Sequence, residues 1–193
     1  MLSINGSNMR ARLILSFAFS LFLALFVYSG AVAFAAEELS EYHTLNIDPV
    51  MKKKIGPEMI KEIVVFFKSA ELAIEKKRLK DLLDLYSDNY ENGSHDKKSA
   101  ARIWTRIFKT FDDMVSIHNM RLQAYTPESK VMIIRCSGLL LGSPADEKEL
   151  ITIDSWTNED HILSKESGKW ELQGISGKER KRFWFDKPMH PLF

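Results

Sequence analysis

The spacing of apolar residues along this chain changes once, at Asp112-Asp113, from steps of three and four residues to steps of two. A chain with a single switch of that kind folds as helices followed by a sheet. Before the switch there are three helical stripes. Gly56-Pro57-Glu58 reads as a helix start, with proline in the first turn, where its missing N–H costs nothing. Ile60, Ile63, Val64, Phe67, Ala70 and Ile74 then lie on one face, and Glu75-Lys76-Lys77-Arg78 ends the helix in cations. Leu79, Leu82, Leu83 and Tyr86 mark a short second helix. Asp96 caps a third, whose face carries Ala100, Ile103, Trp104, Ile107, Phe108 and Phe111.

After the switch, Val115 and Ile117 share one parity and Met120, Leu122 and Ala124 the other, which predicts a β-bulge near His118-Asn119. Val131 to Leu141 is apolar on both faces and reads as a central strand. Leu150 to Trp156 reads as another, continued by His161 to Glu166 after a kink. Ser167-Gly168 turns into a last strand from Trp170 to Ile175. The run from Ser87 to Asp96 is turn chemistry around Tyr90. The expected class is α+β, three helices packed on one face of a curved antiparallel sheet.

The N-terminal segment has a different purpose. Arg10 and Arg12 precede an uncharged stretch, Leu13 to Ala36, that ends in small residues including Ala33-Phe34-Ala35. Basic end, apolar middle and A-x-A site are the parts of a secretory signal, with cleavage after Ala35. The alternative is an uncleaved anchor formed by residues 13–36, since about 20 apolar residues span a bilayer. The expected organisation is a signal or anchor at 1–35, a lead-in linker at 36–56, the domain at 57–177 and a tail at 178–193. The folded part is then exported, periplasmic or secreted. A formal charge of +1, from 27 basic and 26 acidic residues, supplies no field to gather a polyanion, so nucleic acid is not an expected partner.

The chemistry-bearing residues are few. A single cysteine, Cys136, excludes an intramolecular disulfide and a thiolate zinc cluster, and its mid-strand position suits a small buried thiol. The five histidines, at 43, 95, 118, 161 and 190, show no H-x-x-x-H or H-x-H spacing, and no metal is expected. His43, His95 and His190 fall in expected loops or termini, where they would be solvated. No G-x-S-x-G, Walker or G-x-G-x-x-G pattern occurs, and no cofactor is expected. Asp154 alternates with Leu150, Thr152 and Trp156, so a titratable carboxylate shares a strand face with an aromatic. It is either a general base assisted by His118 and His161, or the partner of a cation such as Arg135 on the neighbouring strand. The tail Lys178-Glu179-Arg180-Lys181-Arg182-Phe183-Trp184-Phe185 either meets an anionic membrane surface or cell-wall polymer, or folds its aromatics back onto the domain.

The block Leu85-Tyr86-Ser87-Asp88-Asn89-Tyr90, the aromatic third helix and the closing Lys165-Glu166-Ser167-Gly168-Lys169-Trp170-Glu171-Leu172 resemble the nuclear transport factor 2-like superfamily over residues 57–177. The resemblance implies a cone-shaped domain, a pocket between helices and concave sheet, and dimers across the sheet. Tyr86, Tyr90, Trp104, Phe108 and Trp156 would line that pocket, or else simply fill it. Two functions remain open. One is a non-catalytic binding module for a small apolar molecule, a glycan or a protein partner. The other is a cofactor-independent lyase or isomerase, of the ketosteroid isomerase or polyketide cyclase type, using Asp154 with a histidine.

Overall fold

A computed structural model describes residues 39–177, 179–181, 191 and 193. The expected signal at 1–35, Phe183, Trp184, Phe185 and His190 lie outside these residues. Among the described residues no helix is long and apolar enough to cross a membrane. Glu37–Phe193 make up one compact unit.

Strand β1 (His43–Asn46) opens it, followed by helix α1 (Pro49–Glu75). The lead-in expected at 36–56 is thus already part of the fold. Asp48 caps α1 by accepting hydrogen bonds from the Val50 and Met51 backbone N–H groups at 2.9 and 3.0 Å, with Pro49 in the first turn. Asp48-Pro49 therefore does the work that the sequence reading gave to Gly56-Pro57. That later pair bends the helix instead: Gly56 has φ +76°, a left-handed conformation open to glycine, and Pro57 restarts the turn. Ile63, Phe66, Phe67, Ala70, Ala73 and Ile74 form the buried face of α1.

Helix α2 (Leu79–Leu83) is short, and β2 (Tyr86–Asn92) and β3 (His95–Asp96) follow it. The expected turn at 87–96 is corrected to a strand and a short return. Helix α3 (Lys97–Thr110) is capped by Asp96, whose Oδ1 accepts from the Ser99 N–H at 2.8 Å. Its buried face is Ala100, Ile103, Trp104 and Ile107.

Four long strands complete the sheet: β4 (Val115–Thr126), β5 (Val131–Gly142), β6 (Ile151–Ser164) and β7 (Glu171–Ser176). They pair antiparallel in sequence order, and the full order is β1-β4-β5-β6-β7-β2-β3. β1 runs parallel to β4 and β2 parallel to β7, so the sheet is mixed at its flanks. Register shifts recur between Leu122 and Ala124, Cys136 and Gly138, Leu140 and Leu141, and Ile162 and Leu163; irregularities of this kind bend a sheet. The bulge expected at His118-Asn119 is absent from that place and lies at Gln123. Ser116, His118, Met120 and Leu122 form one continuous buried row, and the supposed change of face is a polar stretch of the inner face. Likewise β6 is one strand. Its irregularity nearest the expected kink is at Thr157-Asn158, where Asn158 has φ +56° and its N–H bonds to Ser137 Oγ at 3.0 Å.

Gly138 shows why the sheet can close over its aromatics. A Cβ there would run into the Ile117 carbonyl oxygen and the Trp156 ring. The missing side chain lets the Trp156 indole lie against β5, in the concave face.

Candidate functional site

The concave face adds His43 to His118 and His161, the two histidines that the sequence reading had grouped with Asp154. β1 pairs with β4 so that His43 stands beside His118, with ring centroids 4.9 Å apart. β6 places His161 two strands over, 6.5 Å from His118. Trp156, one turn of the pleat beyond the bulge, is 5.2 Å from His118. From α1, Phe67 covers the pair at 6.2 Å from His118 and 6.5 Å from His161. His43 was expected to be solvated and is buried; the correction follows from the strand pairing that its lead-in makes. His95, in β3, is half-buried.

Burial decides the charge of these rings. It pushes the His161 imidazole down to about 4, against the smaller opposing pull of the Phe193 and Glu159 main-chain oxygens and of Asp160. His118 is held well below the usual histidine value by burial first, then by its neighbours His43 and His161. His43 is lowered by burial, opposed by Glu71 at 3.9 Å and by the Ser116 carbonyl, to which its Nε2 donates at 3.0 Å. At neutral pH the three are uncharged imidazoles. Both ring nitrogens of His118 and of His161 are buried without a well-formed hydrogen bond.

Of the five expected lining residues, Tyr86, Tyr90 and Trp156 reach this interior. The Tyr86 and Tyr90 rings meet edge to face at 4.7 Å, and burial raises both phenols above their ordinary range, so they stay protonated. Tyr90 OH accepts from Asn92 Nδ2 at 2.9 Å. Trp104 stands behind Tyr86, donating from Nε1 to its hydroxyl at 2.9 Å. Phe108 is half-buried, with its ring 5.3 Å from Trp104. Cys136 accepts from Trp156 Nε1 at 3.2 Å, and burial pushes its thiol up to about 12, where it is no nucleophile at neutral pH.

Asp154 does not join the histidines. It shares the inner face but lies level with Leu140 and Ser116, with Oδ1 bonded to the Ser155 N–H at 2.8 Å and 4.0 Å from Arg180 Nη2. The suggested partner Arg135 instead holds Asp160 through two hydrogen bonds of 2.8 and 2.9 Å. β6 carries one extra residue at Ile153 and one at Thr157-Asn158, and the pairing sets Asp154 opposite Leu140 and Asp160 opposite Arg135. Reasoning from sequence also missed Glu71, Phe66, Asn92 and Phe193. Phe66 and Glu71 flank the α1 stripe, but Asn92 and Phe193 carry no local signal.

Among the described residues, no group of histidine, cysteine and acidic side chains is arranged to hold a metal ion. Two open clefts lie elsewhere. One of about 660 Å³ runs past Tyr42, Glu71, Lys77 and Asp112, and one of about 400 Å³ past Glu62, Phe66, Lys165 and Trp170. Neither is lined by any of the residues nominated from sequence.

No protein-family model matches this chain. No curated protein matches it. Solved structures do. A protein of Novosphingobium aromaticivorans assigned as a scytalone dehydratase superposes with a TM-score of 0.52 at 10% identity, over 68% of this chain and 91% of its own. A protein of Streptomyces avermitilis assigned as a dehydratase of the nuclear transport factor 2-like family gives 0.48 at 9% identity, over 62% and 95%. A ketosteroid isomerase-like protein from Erwinia carotovora atroseptica gives 0.46 at 12%, also over 62% and 95%. Three helices laid against a curved, unclosed sheet, together with the first of these likenesses, give this chain the nuclear transport factor 2-like fold.

Proposed function

We propose that the domain is an exported, non-catalytic binding module whose cone holds a small apolar ligand. The observation that carries this is the character of the interior. Aromatic rings surround imidazoles that burial keeps neutral, and among the described residues no side-chain carboxylate is hydrogen-bonded to His118 or His161. Such a site can orient a ligand through a few polar contacts inside an apolar wall. General base catalysis by Asp154 with a histidine requires the two to share a proton path, whereas Asp154 faces Arg180. The activities assigned to the structural neighbours belong to those proteins. A lyase or isomerase is the competing reading, supported by two buried imidazoles whose nitrogens lack well-formed hydrogen bonds.

Asp154→Asn separates the readings. Arg180 is nearly half exposed, so losing the pair should cost under about 1 kcal/mol, and 1-naphthol should bind within about twofold of wild type. The companion assay follows hydrogen–deuterium exchange next to the carbonyl of a β,γ-unsaturated ketone. Exchange that the wild type catalyses and Asp154→Asn loses by about 100-fold, at unchanged stability, would establish the enzyme instead.

Export rests on Arg10, Arg12 and the Ala33-Phe34-Ala35 site. The intact mass of protein recovered outside the cytoplasm should fit a chain starting at Ala36. Recovery of the full-length chain from the membrane fraction would support the anchor.

A further inference from the structure

The centre of the cone is filled by residue 193 of the chain itself. Phe193 is buried, and its ring stacks on Phe66 at 5.7 Å with an interplanar angle of 22°. Four more rings stand around it: Tyr86 at 6.0 Å, Phe67 at 6.1 Å, and His118 and His161 at 6.3 Å each. Its main-chain oxygen bears on both imidazoles, favouring the protonated form of each. Two residues earlier, the Pro191 carbonyl accepts a 2.8 Å hydrogen bond from Asn92 Nδ2, a side chain with no exposed surface.

A core residue needs only apolar walls. Here an aromatic ring carrying a nearby carbonyl is set against two buried imidazoles whose nitrogens lack well-formed bonds. Buried polar groups in that condition favour any occupant that completes their hydrogen bonding. We infer that Phe193 sits in the ligand site of the cone as an intrachain stand-in, and that the site takes an aryl group joined through two carbons to a carbonyl. This inference rests on the binding-module reading and adds to it the ligand class and the competitor. A free ligand then binds only when the Phe193 ring withdraws, and its apparent affinity is reduced by the fraction of time that ring stays in place.

The test is a calorimetric titration of the full chain, and of its Phe193→Ala and Phe193→Leu variants, with 3-phenylpropanamide. Propylbenzene, which keeps the ring and lacks the carbonyl, is the control. Phe193→Ala should bind the amide about tenfold more tightly than wild type or better, with propylbenzene weaker and the imidazole C–H signals of His118 and His161 shifting on saturation. Equal affinity for wild type and variant would overturn the inference, because ligand and residue 193 would then not compete; the binding itself would leave the module reading standing. Absence of binding by any of the three proteins would also overturn it, and the 1-naphthol titration would decide the module reading separately. If Phe193→Ala does not fold, Phe193→Leu keeps most of the apolar volume without the ring and should bind the amide more tightly than wild type. Failure of both variants to fold would make Phe193 a structural core residue and end the proposal.

Discussion

Trp104→Ala should destabilise the domain by about 3–5 kcal/mol, the usual cost of deleting a large aromatic from a packed interior. Trp104 is 1% exposed, at the centre of the buried face of α3. Its removal leaves a cavity next to the Phe108 ring and takes the Nε1 donor away from the Tyr86 hydroxyl, itself fully buried. The lost hydrogen bond adds to the lost volume, because Tyr86 cannot turn to water for a replacement. Trp104→Phe isolates the two parts: it restores most of the apolar contact but not the donor, and should recover more than half of the loss. Urea denaturation of the three proteins measures this. A loss below about 1 kcal/mol for Trp104→Ala would mean that the aromatic stripe is not core.

The second large effect is acid sensitivity. An unfolded histidine titrates near 6.5, whereas folded His161 titrates near 4 and His118 and His43 are also lowered. The folded state therefore binds fewer protons than the unfolded state in this range, and stability falls as pH falls. The histidine contribution is complete above about pH 6.5 and is lost progressively down to about pH 4. For His161 alone it is on the order of 3 kcal/mol. Glu62, bonded to Lys165 and Trp170, and the helix cap Asp96 have lowered carboxyls, so their contributions disappear at lower pH. Denaturation curves at pH 7.5, 6.5, 5.5 and 4.5 should show the loss beginning above the carboxylate range. His161→Leu should have a shallower slope in that window, and a wild-type stability that stayed flat from pH 7.5 to 4.5 would contradict the neutral-histidine interior.

What could be read in advance from the sequence was whatever local periodicity encodes. The α1 and α3 stripes, the Asp96 cap and the four long strands all come from spacing over a few residues, and the α+β class follows from their order. β2 was unreadable because Ser87-Asp88-Asn89-Tyr90-Glu91-Asn92 has turn-forming composition and becomes a strand only by pairing with β7. The histidine cluster was hidden for another reason. Sequence reading equates inside with apolar, so Ser116 and His118 looked like a change of face when they were its polar members. Asp154 was assigned the wrong cation because the strand register, which the sequence does not encode locally, sets it opposite Leu140 and gives Arg135 to Asp160.

Two ties between residues far apart in sequence also bear on how the domain comes off the ribosome. Thr44 of β1 bonds to Asn119 of β4 across 75 residues, and Asn92 of β2 bonds to Pro191 across 99. Contacts so distant in sequence must meet the entropy of closing long loops before they contribute anything, which places such topologies among the slower folders. The helices can form early from local contacts, but the imidazole-lined interior needs its first wall from residue 43 and its plug from residue 193. Until both have been synthesised, Phe66, Phe67 and Tyr86 have no complete enclosure. A nascent chain arrested before residue 191 would present that aromatic surface to whatever chaperone or translocation machinery is holding it.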